Sequence, residues 1–177
     1  MVNEVEVEVK LKYENKDELV SKLKFLKAKR LEEFFLHDIY FSLSYSDVKN
    51  NHDILRIRTK GSSCELTFKS SSKNIDEVWE RTEISVDLSD EKLMRDILTN
   101  LGFSVVSENK SNREVWKIGD VELVFIDFIF PVEFKILEIE SDDLKKVESM
   151  ISNFDCLVSR IGEDDFKMFD DARKKSS

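Results

Sequence analysis

The sequence predicts an α+β fold of eight or nine mostly antiparallel strands, with helices at three places between them. Many short segments alternate apolar and polar residues with period two, as half-buried strands require. Three stretches instead space their apolar residues along one helix face, each behind a capping residue. Nothing in the chain repeats, and with four glycines there is no phosphate-binding loop of the P-loop or dinucleotide type.

In Val2 to Tyr13, Val5, Val7, Val9 and Leu11 alternate with Glu4, Glu6, Glu8, Lys10 and Lys12, giving a strand with one apolar and one fully charged face. Side chains on that charged face repeat about every 6.6 Å, so its carboxylates repel and call for a positive neighbour, unless this is the solvated face of an edge strand. Asn15 and Glu18 form a capping box ahead of the helical stripe Leu19, Val20, Leu23 and Leu26, which closes near Lys29 or Arg30 with bases at the negative end of the dipole. Phe34 to Tyr45 reads as an aromatic-rich strand holding Asp38, Tyr40 and Phe41, and Ser46 to His52 as a polar loop.

Leu55-Arg56-Ile57-Arg58 puts both arginines on one strand face. Beyond Gly61-Ser62-Ser63, Cys64 to Lys69 places Glu65, Thr67 and Lys69 together. Ser70 to Asp76 reads as a hydrophilic connection, and Val78 to Val86 as one strand with Trp79, Arg81, Glu83 and Ser85 on one side. Ser89 caps a second helix whose inward side is Leu93, Met94, Ile97, Leu98 and Leu101, ended by Gly102. Strands follow at Phe103 to Val106, Arg113 to Ile118 and Val121 to Ile126, the last two joined at Gly119-Asp120. The single proline, Pro131, marks a bend before a strand from Phe134 to Glu140. Ser141 begins a third helix with Leu144, Val147, Met150 and Ile151 inward; a short strand at Leu157 to Arg160 and a helix near Asp164 to Phe169 complete one domain over residues 1–171, ahead of a disordered tail at 172–177.

The chain's 177 residues, 41% hydrophobic and 37% charged, suit one sizeable soluble core. A net charge of -9 argues against nonspecific DNA or RNA binding and leaves room for a locally basic pocket. Two cysteines, Cys64 and Cys156, exclude a zinc knuckle or a disulfide scaffold and fit a reducing interior. Charges begin at Glu4, leaving no signal pattern, and the most apolar run, Val121 to Phe134, contains Glu122, Asp127 and Glu133. The expected protein is cytoplasmic with no membrane partner. His37 and His52 lack metal-like spacing and read as bystanders.

One device recurs on several strands. Glu6, Glu8, Lys10, Arg56, Arg58, Lys69, Arg81, Glu83, Arg113, Asp127, Glu138 and Glu140 all sit among apolar neighbours, with acids towards both ends of the chain and bases in the middle. A curved sheet closing around them would enclose a wet lumen, since so many charges cannot be buried dry. Its carboxylates suit a hard divalent cation and its bases suit phosphoryl oxygens. A triphosphate with roughly four negative charges and two divalent ions with roughly four positive ones would leave it near neutral.

Glu6-Val7-Glu8-Val9-Lys10 resembles the ExExK signature of the CYTH superfamily of triphosphate tunnel metalloenzymes. The likeness continues through Asp38-Ile39-Tyr40-Phe41, Leu55-Arg56-Ile57-Arg58, Leu66-Thr67-Phe68-Lys69, Glu80-Arg81-Thr82-Glu83, Leu101-Gly102-Phe103, Arg113 and Leu137-Glu138-Ile139-Glu140. The resemblance implies a closed eight-stranded antiparallel barrel forming a tunnel, with helices outside. It implies Glu6, Glu8, Glu138 and Glu140 as ligands of Mg2+ or Mn2+, with Lys10, Glu83 and Asp127 in the catalytic set, and Arg56, Arg58, Lys69, Arg81 and Arg113 gripping the substrate. Tyr40 and Phe41 read as packing.

The expected ligand is ATP, thiamine triphosphate or tripolyphosphate. The implied activity is that of a class IV adenylate cyclase, forming cyclic AMP and pyrophosphate; the alternatives are a triphosphatase and a non-enzymatic binder of phosphorylated ligands or polyphosphate. Two departures stand out. Ser111 occupies the place of a frequent family lysine, and the nearby Lys110, included as a substrate contact, has an odd offset that turns it to the other face unless a bulge intervenes. Phe128-Ile129-Phe130-Pro131-Val132 replaces a glycine-containing turn and offers an apolar protrusion for a lid or a homodimer contact.

Overall fold

The computed structural model describes residues 7–43, 53–70, 73–75, 78–80 and 82–162. In chain order these form β1 (Val7–Tyr13), α1 (Lys16–Phe25), β2 (Lys29–Ser42), β3 (Ile54–Lys60), β4 (Ser63–Lys69), β5 (Lys73–Ile75), β6 (Val78–Glu80), β7 (Glu83–Asp87), α2 (Glu91–Asn100), β8 (Ser104–Ile118), β9 (Val121–Phe130), β10 (Phe134–Ser141), α3 (Leu144–Ile151) and β11 (Val158–Ile161), with a 3₁₀ turn at Asp155–Leu157. The strands make one sheet in the order β5-β6-β1-β10-β9-β8-β2-β3-β4-β7, with β11 added to β1. The α+β class holds. The strand path is open among the described residues, so a closed eight-stranded barrel is not what their hydrogen bonds form. β6 pairs with β1 and β7 with β4, yet only residues 81 and 82 separate β6 from β7. Chain continuity therefore draws the two flanks of the sheet towards each other.

Local chemistry explains most boundaries. Asn15 caps α1 by accepting from the backbone N–H of Asp17 and Glu18, and its side-chain amide donates to Glu18 Oε1 at 2.8 Å. α2 and α3 start later than Ser89 and Ser141: Asp90 accepts from Leu93 N at 2.9 Å and Asp143 from Lys145 N at 2.8 Å, because a carboxylate next in line is an equally good cap and carries charge suited to the positive end of the dipole. Gly102, at φ 94, ends α2 in the left-handed conformation. The expected single strand Val78 to Val86 divides into β6 and β7, and the connection before it contains β5. β8 is one strand through the polar run 107–112, where β2 supplies partners throughout and β9 joins on the other side from Lys110 onwards. The expected loop Ser46 to His52, the helix Asp164 to Phe169 and the tail lie outside the described residues.

The core lies on the outer face of the sheet. Val9, Leu11, Leu123, Phe125, Leu137 and Ile139 are covered by Leu19 and Leu23 of α1 and Val147 and Met150 of α3. Each such fully buried aliphatic side chain contributes roughly 1.5–3 kcal/mol. A second cluster joins Ile39, Phe41 and Ile57 to Leu98 of α2. α2 meets the sheet along Met94 and Leu98, so Leu93, Ile97 and Leu101, expected inward, are more than half exposed. Because side chains alternate, these odd-numbered positions send their even-numbered neighbours to the inner face.

Candidate active site

The inner face of the bent sheet surrounds a cavity of about 410 Å³. β1 and β10 pair Glu8 with Glu140 and Lys10 with Glu138, and β9 places Glu122 opposite Glu140. Glu8, Glu140 and Glu122 thus form a rung of three carboxylates across three strands. Lys10 is buried beside them, with Nζ 3.4 Å from Glu8 Oε1 and 3.9 Å from Glu138 Oε1, while Arg113 Nη1 reaches Glu138 Oε2 at 3.6 Å.

The opposite flank is basic. Arg56 Nη2 donates to Glu65 Oε1 and Thr67 Oγ1, each at 3.2 Å, while its Nε is buried with no hydrogen-bond partner. Arg58 donates Nε to Asp38 Oδ1 at 2.7 Å and Nη2 to Asp38 Oδ2 at 2.8 Å, and the Asp38 side chain is 0% exposed. Burial alone would raise the Asp38 pKa; the hydrogen bonds and charge of Arg58, helped by Arg56 and Arg113, overcome it and hold the carboxyl below its ordinary value. For Arg58 the desolvation penalty is likewise outweighed by Asp38, and its pKa is raised. Lys69 pairs with Glu83, and Lys60 with Glu32 at 2.8 Å. Among the described residues, every cation lining the cavity therefore has a carboxylate beside it.

Nine of the expected residues, Glu8, Lys10, Arg56, Arg58, Lys69, Glu83, Arg113, Glu138 and Glu140, line this one cavity. Glu6 and Arg81, like His52, lie outside the described residues. Asp127 is a correction. Its odd position puts it on the outer face, where it accepts from Tyr13 Oη at 3.4 Å and Lys135 Nζ at 3.2 Å. Burial, followed by the Asp127 charge and hydrogen bond, raises the Tyr13 pKa.

Lys110 is a second correction. It packs outside, 4.0 Å from Glu108 Oε1 and 5.5 Å from the Phe130 ring centre. A register shift does fall between Lys110 and Ser111, but it turns Phe130 outward beside Lys110 while Ser111 stays buried. Tyr40 lines the cavity rather than only packing, whereas Phe41 sits in the outer core. His37 pairs with Glu108 at 2.8 Å, away from the cavity. Of the apolar protrusion, Phe128 is buried and stacked on Phe134 with ring centres 4.5 Å apart, leaving Ile129 and Phe130 partly exposed. With Ile126 and Ile136 these rings fill the inner face at one end.

Sequence reasoning missed Glu32, Lys60 and Glu122 as cavity residues and gave Asp38 and Glu65 no role. Strand alternation placed Glu65 with Lys69, and continuing it two residues beyond Arg58 would have found Lys60 on this face. Glu122 is recognisable only from its register opposite Glu140.

The donors on the acidic flank are hard oxygens, the kind Mg2+ and Mn2+ take. Among the described residues no three His, Cys, Asp or Glu side chains converge into a formed cage. The donor set fits a divalent cation in kind.

The class is that of a bent antiparallel sheet whose inner face gathers acids and bases around one cavity, with helices outside. A model of the CYTH domain matches residues 4–168, and the chain belongs to that family. A candidate adenylate cyclase of Methanocaldococcus jannaschii is 33% identical over 153 residues, covering 83% of this chain and 86% of that protein. Among solved structures, a candidate adenylyl cyclase of Hippeastrum, described as revealing a dominant triphosphatase activity, superposes with a TM-score of 0.71 at 16% identity, covering 94% of this chain and 95% of that one. A candidate adenylate cyclase of Vibrio parahaemolyticus superposes with a TM-score of 0.74 at 14% identity, covering 96% and 99%. These last two establish a shared fold. No described helix is long and apolar enough to cross a membrane.

Proposed function

We propose that the cavity binds a triphosphate together with Mg2+ or Mn2+ and catalyses substitution at one of its phosphorus atoms. The observation that carries this reading is the single inner face on which Lys10, Arg56, Arg58, Lys69 and Arg113 surround the space beside Glu8, Glu138 and Glu140. Glu8, Glu138 and Glu140, with Glu6, would hold the metal, which when bound polarises phosphoryl oxygens and offsets their charge. Arg56 and Arg58 orient the phosphate chain through directed N–H donors, and Lys69 and Lys10 add compact positive charge. Arg113 and Lys10 keep the crowded carboxylates from repelling one another before the ligand enters. Glu83 completes the acidic set, directly or through water, and positions Lys69.

The activity we assign first is adenylate cyclase-like: the ribose 3'-hydroxyl of ATP attacks the α-phosphorus and pyrophosphate leaves. The name of the Methanocaldococcus relative supports it. Hydrolysis, with water attacking the terminal phosphorus, is the second reading, favoured by the activity described for the Hippeastrum protein. Purified protein incubated with Mg2+ or Mn2+ and ATP, thiamine triphosphate or tripolyphosphate separates them by phosphorus NMR. Cyclic AMP with pyrophosphate supports the first, orthophosphate the second, and neither product removes both. Ligand binding that is equally tight without metal, and no turnover, would make the protein a binder of phosphorylated ligands.

A further inference from the structure

The carboxylates that partner the cavity's cations differ in kind. Glu65 and Glu83 line the cavity and are about a third exposed, so an entering polyanion can displace them. Asp38 is wholly buried beside Arg58, on the strand next to it and directly opposite in register.

A guanidinium presents two forks, one made by Nε and Nη2 and one made by Nη1 and Nη2. Asp38 takes the first, at 2.7 and 2.8 Å. The second is left as the edge Arg58 can offer to the cavity it lines.

We propose that Asp38 is a positioning residue: it pins the side edge of the Arg58 guanidinium so that the terminal Nη1/Nη2 fork meets a phosphoryl group of the ligand. The proposal rests on the cavity's taking a phosphorylated ligand. Asp38 touches no substrate itself and is not exchanged on binding, because leaving Arg58 would strand a buried carboxylate without a partner. The Asp38 carboxyl stays ionised at any neutral pH, since its pKa lies below the ordinary range.

The test is calorimetric binding of Mg2+-tripolyphosphate to the full chain as wild type, Asp38→Asn, Arg58→Lys and the double variant. Lysine keeps the charge that offsets Asp38 but has no fork to orient. Asp38→Asn should weaken binding roughly tenfold, the scale of one charge-assisted hydrogen bond, in the wild-type background, and less than about twofold in the Arg58→Lys background. Equal losses in both backgrounds would mean that Asp38 acts only on general structure. An indifferent Asp38→Asn with intact wild-type binding overturns this proposal alone, whereas no binding by the wild type overturns it together with the functional reading. Should Asp38→Asn not fold, nitrogen-15 NMR of arginine side chains in the wild type decides. A slowly exchanging Arg58 Nε–H, assigned by its loss in Arg58→Lys and unmoved by tripolyphosphate, supports the pinned edge. A fast-exchanging or ligand-shifted Nε–H refutes it.

Discussion

The two flanks of the cavity carry charge in opposite ways. On β1, β9 and β10, carboxylates neighbour one another across strands, and two cations are spread among them, Lys10 of β1 and Arg113 reaching in from β8. On β3, β4 and β7, each cation faces a carboxylate of its own: Arg56 with Glu65, Arg58 with Asp38, Lys69 with Glu83. The difference teaches which side needs a ligand more. Crowded carboxylates are relieved by added positive charge, whereas the basic flank is already compensated and must trade Glu65 or Glu83 for a phosphate. Metal and substrate are thus expected to enter as a pair.

The largest effect should come from the acidic flank. Glu138→Gln or Glu8→Gln should lower kcat by about a thousandfold or more while circular dichroism shows an unchanged fold; unaltered turnover would remove both from the site. Chelation of divalent metal should abolish turnover in the same assay, and its restoration by Mg2+ or Mn2+ separates a metal requirement from damage. On the basic flank, Arg56→Gln should raise KM by about ten- to a hundredfold, because it removes a guanidinium that lines the cavity. A fall in kcat with unchanged KM would move Arg56 from ground-state binding to transition-state stabilisation.

Asp38 sharpens the comparison through pH. Its pKa is lower folded than unfolded, so its stabilising contribution is fully present above about pH 4, the unfolded carboxylate value, and is lost as pH falls through the lower folded value. Asp38→Asn should cost about 3–5 kcal/mol at pH 7, with the gap in Tm to wild type narrowing only below about pH 4. A gap that narrows between pH 6 and 8 would contradict an ionised Asp38. The smallest effects should come from Asp127→Asn and Lys110→Ala, which face outward. Each should leave kcat/KM within about twofold, and a tenfold loss in either would place that residue back in the cavity.

Much of this site is legible in the sequence. Alternation in β1, β3 and β10 put Glu8 with Lys10, Arg56 with Arg58, and Glu138 with Glu140 on common faces, and the family likeness joined those faces into one site. What misled was length. The outward turn of Asp127 is a one-position matter, and a single residue of offset exchanges the two faces of a strand. The polar centre of β8 looked like a gap because its partners along 107–112 lie on β2, far back in the chain.

The sequence by itself determined which residues share a face, because side-chain alternation and capping depend on near neighbours alone. Only the tertiary structure decided which faces meet: that Glu122 stands opposite Glu140, that Asp38 locks Arg58, and that among the described residues the sheet path stays open with β6 and β7 on its two flanks. Register between strands far apart in the chain is set by packing of the whole sheet, and no local pattern encodes it.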